Sequence, residues 1–371
     1  MEDKDYDAYM FPNETNRGFW MKVLYFFNDF YEVELYFGFA LAIIGIPTNL
    51  LHMLILSRKT MRTSSTNIVL LGIAICDTII LASIFRMIAQ MLLDDSQSNI
   101  DRECLLPKSY FMVQFDEVFM SLSPLSRRTS IWLGVSLAVL RTVIVKNPLS
   151  RVISKLSLPR FGWLSNFLIL LFCSPLSILN FLRFTVVPLK TWIPPESCGF
   201  LENRTETEFT LEENGWFNKR SVTDFEDFLS GLVGELIPCV ILPISTILLV
   251  LEVRKQRKKQ IERATRSRNG RSTKLVLFMT ISFLFAICPL SISDLSISFL
   301  ADAPGFSSIL NYISSIFRLF VSLNAIIHCF ICFFLSTEYR NTAKALFGCK
   351  KSRINGNHTV TLVRSTTKRA G

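Results

Sequence analysis

Much that would mark an enzyme is missing from this sequence. The long apolar stretches contain no His/Asp/Glu grouping at metal-ligand spacing, no Ser-based dyad motif and no Gly-rich phosphate loop, which argues against intramembrane catalysis. The opening residues, MEDKDYDAYM, are acidic and polar, unlike a secretory leader, so the first apolar span is expected to act as its own insertion signal. No repeat, soluble catalytic domain or long low-complexity tract lies between the spans. The paired interrupted helices and internal symmetry of a transporter are also missing. Acidic side chains are absent from three connectors: that of Arg58, Lys59 and Arg62, the segment Lys146–Arg160, and the tail from Arg340 to Gly371.

What is present is apolar length. Half of the 371 residues are hydrophobic, and Leu35–Leu56 runs unbroken with only Thr48, Asn49 and His52 as notable polar members. A helix needs such a run to cross roughly 30 Å of hydrocarbon at about 1.5 Å per residue. Similar stretches recur near 67–93, 117–145, 161–181, 229–253, 275–300 and 309–335. Lipid offers backbone amides no water partner, so the expectation is an all-α bundle of seven transmembrane helices over 35–335. A net charge of +10 would suit nucleic acid in a soluble protein, but seven spans exclude that partner.

The distribution of charge predicts orientation. Segment Arg254–Lys274 holds ten bases against the single acid Glu262, and the tail from Arg340 carries eight bases. Residues 1–34 hold eight carboxylates against three bases, and loop 182–227 holds nine against five. Bases on the inner loops place residues 1–34 outside the cell and 350–371 in the cytoplasm of a multi-pass plasma-membrane protein, its basic face on anionic lipid. Glycosylation sequons at Asn13 and Asn203 fall on outer segments, whereas a third at Asn357 falls inside.

Of nine cysteines, Cys76, Cys173, Cys239, Cys288, Cys329 and Cys332 lie in spans and read as small hydrophobes. Cys104 and Cys198 lie on outer, oxidising loops and are expected to pair, closing a loop worth up to about 4.7 kcal/mol. Cys349 suits either palmitoylation or a free thiol.

Each ionisable group within a span costs roughly 2.5–3.5 kcal/mol on insertion scales. Asp77 and Asn49 lie centrally, Arg141 ends the third span, and Asn324 and His328 lie near the inner end of the seventh. Nearer the outside are Arg86, Arg127, Arg128, Glu235, Asp294 and Arg318, which could pair to fix helix register or line a ligand cavity. By helical phase, Arg127 falls within about 40° and Ser130 within about 20° of Arg141, whereas Arg128 is roughly 140° away. Arg127 should therefore face the cavity and Arg128 a flanking helix. Pro238 and Pro289 interrupt spans five and six and permit kinks.

In this order and spacing the residues resemble the rhodopsin-like G-protein-coupled receptors. Asn49, Asp77, Arg141, Pro148-Leu149, Pro238, Pro289 and Asn324-Ala325-Ile326-Ile327-His328 stand where that superfamily has its signatures. Arg128-Thr129-Ser130-Ile131-Trp132-Leu133-Gly134, Ile237-Pro238-Cys239 and Ser336-Thr337-Glu338-Tyr339-Arg340 are similar to the nematode serpentine receptor class w, chemoreceptor-like proteins close to FMRFamide-type peptide receptors. The resemblance implies a short amphipathic eighth helix over 336–349. It further implies an activation network of Asn49, Asp77, Ser130, Arg141, Phe283, Pro289, Asn324 and His328, with a sodium ion conceivable beside Asp77.

Departures accompany it. Leu140 replaces the acid beside Arg141, Thr142 a tyrosine, Ile287 the sixth-helix tryptophan, Ala325 a proline and His328 a tyrosine. Cys104 lies roughly three turns farther from Arg141 than is usual.

The function implied is an extracellular ligand bound among Arg86, Arg127, Glu235, Asp294 and Arg318. Helix six then swings to admit a heterotrimeric G protein at Arg141 and Leu149. Ser352, Thr359, Thr361, Ser365, Thr366 and Thr367 resemble an arrestin-recruiting cluster. The arginines suit an anionic ligand, while Asp294 and Glu235 suit the arginine of an RFamide-like peptide. A small environmental odorant is the alternative. The acidic outer loops favour the cationic peptide.

Overall fold

A segment that must satisfy its own backbone in lipid coils, and the described residues hold seven helices long and apolar enough to cross a membrane. The structure, a computed structural model, describes residues 3–12, 15–96, 104–147, 150–198, 205–215, 225, 228–262, 270–300 and 303–348. A short α1 (Asp3–Met10) precedes α2 (Arg17–Leu56), α3 (Ser65–Ser96), α4 (Tyr110–Lys146), a brief α5 (Arg151–Leu156) and α6 (Pro159–Leu182). A hairpin of β1 (Phe184–Trp192) and β2 (Glu206–Glu213) comes next. A π-helical turn (Leu232–Leu236) then leads into α7 (Ile237–Glu262), followed by α8 (Gly270–Phe299), α9 (Pro304–Leu335) and α10 (Thr337–Leu346).

α4 lies at the centre, touching α3, α6, α7 and α8, and contact between α9 and α2 closes the ring. Small residues set the close crossings. A Cβ at Gly162 of α6 would stand 2.7 Å from the Ser65 carbonyl oxygen of α3, and beside it Asn166 Nδ2 donates to Ile68 O at 2.9 Å. Large apolar side chains such as Phe167, Leu168 and Phe172 of α6 stay exposed on the outside, where lipid covers them.

Three elements depart from the sequence expectation. The first helix begins at Arg17 rather than near 35. Met21 and Leu24 of this extension are buried with Met10, Phe11 and Ile309, and Trp20, Phe27, Phe306 and Tyr312 pack around them. Helix α4 likewise starts at Tyr110 rather than 117, with Ser109 Oγ accepting from Met112 N at 3.4 Å. This extension accommodates the long separation of Cys104 from Arg141. The loop 182–227 contains the hairpin, paired antiparallel from Phe184↔Glu213 to Trp192↔Glu206 with an irregularity at Pro188. Cys104 and Cys198 are bonded across 94 residues, their Cα atoms 5.3 Å apart, and tie the approach to α4 to this loop.

At the other end, α10 is capped by Ser336, whose hydroxyl accepts from Tyr339 N at 3.2 Å. Beyond Phe347, Gly348 takes φ +74°, the left-handed turn that ends helices at glycine. Tyr339 is 1% exposed and belongs to the core shared with Ile55, Met61, Leu133 and Cys332.

Candidate functional site

Polar side chains inside the bundle fall into three layers. In the layer nearest α1, Asp294 of α8 accepts from Arg127 Nη1 of α4 at 2.9 Å and faces Arg318 Nη2 of α9 at 3.6 Å. One carboxylate thus serves two guanidiniums from two other helices. Arg86 is not part of this cluster. It donates twice to Asp116 Oδ1, its Nε at 2.8 Å, and lies 4.9 Å over the Phe115 ring. Lys108 Nζ stands 3.6 Å from Asp116 Oδ2. Arg128 is buried, its Cδ only 3.0 Å from where a Cβ at Gly234 would be, so it faces the helix-five side. For Glu235, in the π-helical turn, only the backbone is described.

Beside this cluster a cavity of about 490 Å³ opens between α2, α3 and α9, and Arg318 lines it. Its walls include Tyr31, Glu34, Met87, Tyr312 and Ser315. Glu34 is 6% exposed and shares this wall with Ser315. Neither Glu34 nor Asp116 was a candidate from sequence. They lie one residue outside the apolar runs drawn from 35 and 117, where a carboxylate reads as a loop charge.

In the middle layer Ser130 Oγ donates to Asp77 Oδ1 at 3.1 Å, and His328 Nδ1 lies 3.4 Å from Asp77 Oδ2. Asn324 Nδ2 meets the other ring nitrogen of this histidine, Nε2, at 3.2 Å. The Phe283 ring stacks on His328 with centroids 6.2 Å apart. Gly134 of α4 gives Phe283 its space, since a Cβ there would be 3.1 Å from the ring. Asn49 Nδ2 donates to Gly45 O of its own helix at 3.2 Å. Buried Asn49 Oδ1, Asp77 Oδ2 and Asn324 Oδ1 have no hydrogen-bond partner. Oxygen acceptors of this kind suit a hard cation.

Two prolines shape the α7–α8 contact. Pro289 interrupts α8, and Pro243, passed over in the sequence, interrupts α7. A proline lacks the N–H that would bond the carbonyl four residues earlier, so Pro243 frees Cys239 O. The Cys288 thiol of α8 stands 4.0 Å from that oxygen.

In the third layer Arg141 Nε is buried without a hydrogen-bond partner, and Leu140 beside it is packed in the core. Thr142 Oγ1 donates to Ala138 O at 2.8 Å and reaches Ser245 O of α7 at 3.3 Å. His52 Nδ1 meets Tyr339 Oη at 2.8 Å, and Cys329 Sγ meets the same oxygen at 3.3 Å, linking α2, α9 and α10. Burial pushes the Tyr339 hydroxyl well above the usual phenol range, with Cys329 adding to the effect. Leu149, Asn13, Asn203, Cys349 and the tail cluster lie outside the described residues.

A sequence-family model described as serpentine type 7TM GPCR chemoreceptor Srw matches residues 36–350. The chain is 24% identical over 260 residues to the G-protein coupled receptor dmsr-1 of Caenorhabditis elegans, covering 66% of this chain and 49% of that protein. It therefore spans about half the length of that relative. It is 29% identical over 378 residues to the Sex peptide receptor of Drosophila melanogaster, covering 88% of this chain and 77% of that protein.

Proposed function

Because the chain belongs to the Srw family of serpentine seven-transmembrane G-protein-coupled chemoreceptors, we propose that it binds an extracellular peptide with a basic residue and activates a heterotrimeric G protein. The observation that carries this reading is Asp294, held by Arg127 and Arg318 from two other helices. A ligand guanidinium that takes Asp294 from its partners alters how α8 is tied to α4 and α9. It therefore has different affinities for two arrangements of the bundle, which is what a signalling ligand requires. Two relatives whose names mark one as a G-protein-coupled receptor and the other as a peptide receptor support the same choice.

The motion follows from where the bundle is weakly tied. Helix α8 carries Pro289 within its length and meets α7 through the Leu242, Phe283 and Ile287 cluster and a thiol at 4.0 Å, so its half below the proline is the part that swings. The swing opens the cleft beside Arg141, whose Nε has no partner to give up, and Leu149 lies on the following segment. Loss of the neighbouring acid at Leu140 removes one restraint on the resting state.

Asp77, Asn49 and Asn324 would hold a sodium ion in the middle layer, with their unpartnered oxygens as the donors. When bound, such an ion supplies positive charge next to the buried carboxylate. The chain's own contribution is to hold Asp77 with Ser130 and His328.

A small environmental molecule is the second reading, favoured by the chemoreceptor description of the family. A neuropeptide library screened for G-protein turnover separates the two. The expected result is activation by a basic peptide that Arg141→Ala abolishes at unchanged surface expression. Retained turnover in that variant would sink the mechanism, and a well-expressed receptor silent to every peptide would favour the small molecule.

A further inference from the structure

The cavity between α2, α3 and α9 is off the axis of the Asp294 cluster and has a chemistry of its own. At about 490 Å³ it lies within the size range of small-molecule sites. Its acid, Glu34, is 6% exposed and shares the wall with Ser315. The basic group that acts on Glu34 is Arg318, which is already turned to Asp294 at 3.6 Å. Of the two charges lining the cavity, Arg318 has an ion partner in Asp294, and among the described residues Glu34 has none within 4 Å. Next to it the Tyr31 and Tyr312 rings stand 5.7 Å apart. Tyr312 Oη is turned away to Asn28 Oδ1 at 2.9 Å, leaving ring surface to the cavity. Ile84 and Met87 of α3 make the opposite wall apolar.

An acid flanked by aromatic rings and faced by aliphatic side chains selects a positive head on an apolar body. Water is a poor competitor for such a body, and the rings add cation–π attraction to the ion pair. We propose that this cavity binds an organic cation, a primary ammonium or guanidinium carried on an apolar or aromatic group, with Glu34 as its anchor. The same chemistry is offered by a free arylalkylamine and by the Arg-aromatic end of a peptide. The assignment deepens the receptor reading and rests on it only for the statement that filling the cavity changes signalling.

The test reads the cavity directly. Full-length receptor carrying Ser315→Cys is reacted with cationic 2-aminoethyl methanethiosulfonate and with anionic 2-sulfonatoethyl methanethiosulfonate. Each rate is corrected for the reagent's reaction with a free thiol and for the unsubstituted receptor. Attraction of a cationic reagent to Glu34, with Arg318 drawn to Asp294, predicts about a tenfold preference for the cation. Adding Glu34→Gln should bring the two rates to near parity. Ser308→Cys, on the same wall, replaces Ser315→Cys if that variant fails to reach the surface. Equal rates before the Glu34 change, or a preference that survives it, would overturn the proposal.

Protection then identifies the source. Slowing of the reaction by phenethylamine alone assigns a free amine, slowing by acetyl-Arg-Phe-amide alone assigns a peptide end, and slowing by both assigns the shared chemistry. Slowing by neither at millimolar concentration overturns it. Thiol modification needs no G protein, so a cavity that behaves as expected in a receptor without turnover would count against the signalling reading alone.

Discussion

At the scale of single residues, the groups that could be placed from sequence are those embedded deep in apolar runs. Ser130 is turned inward by its phase, within about 20° of Arg141, Asp77 lies in the middle of its apolar run, and the two bond at 3.1 Å. The 100° turn per residue likewise separates Arg127, turned to Asp294, from Arg128, turned to Gly234. Asp116, Glu34 and Tyr339 were not legible. The first two sit at the edge of their runs, and a tyrosine in an amphipathic helix gives no sign that a distant histidine will meet it. Asp294→Asn should raise the agonist concentration for half-maximal G-protein turnover at least about tenfold at normal surface level. Arg318→Ala should shift it less, because that side chain is 50% exposed and 3.6 Å away. Tyr339→Phe leaves His52 buried without its partner, at a cost of about 1–3 kcal/mol. A lower melting temperature of the detergent-solubilised receptor would register it, and no change would show that water replaces the hydroxyl.

At the scale of elements, hydropathy located the helices and misjudged their ends. It averages over a window, whereas a helix continues as long as one face finds a partner. Trp20, Met21, Leu24 and Phe27 return at helical spacing among Arg17, Lys22 and Asp29, and the apolar face packs on α9 while Lys22 and Asp29 face out and Arg17 Nε donates to Phe11 O at 3.2 Å. The hairpin was missed for a related reason. Its strand ETEFTLEE has only Phe209 and Leu211 as apolar residues, which a search for apolar length does not register. Cys198→Ser should free this hairpin from α4, a loss of up to about 4.7 kcal/mol in the chain-entropy model for a loop of this order. The expected result is reduced surface expression that Cys104→Ser reproduces and the double substitution does not worsen. Additive losses would mean the two cysteines act separately.

At the scale of the whole molecule, the number of spans was readable because the constraint behind it is solvent, not packing. Which side each end occupies rests on the bias of lysine and arginine among the connectors. A glycan acceptor placed within 254–274 should stay unmodified, while glycosidase treatment should shift a receptor whose Asn13 and Asn203 are intact. The opposite pair of outcomes would invert the topology.

The buried tyrosine of α10 has a mechanical consequence for that whole. Through His52 and Cys329 it fastens the last short helix to both the first and the seventh spans, and Thr60 and Thr342 meet at 3.2 Å across the same seam. Among the described residues, α7 and α8 meet through the apolar cluster of Leu242, Phe283 and Ile287 and the Cys288–Cys239 contact, with a proline in each helix. The first and seventh spans and the short helix after them are thus fastened to one another at a single seam.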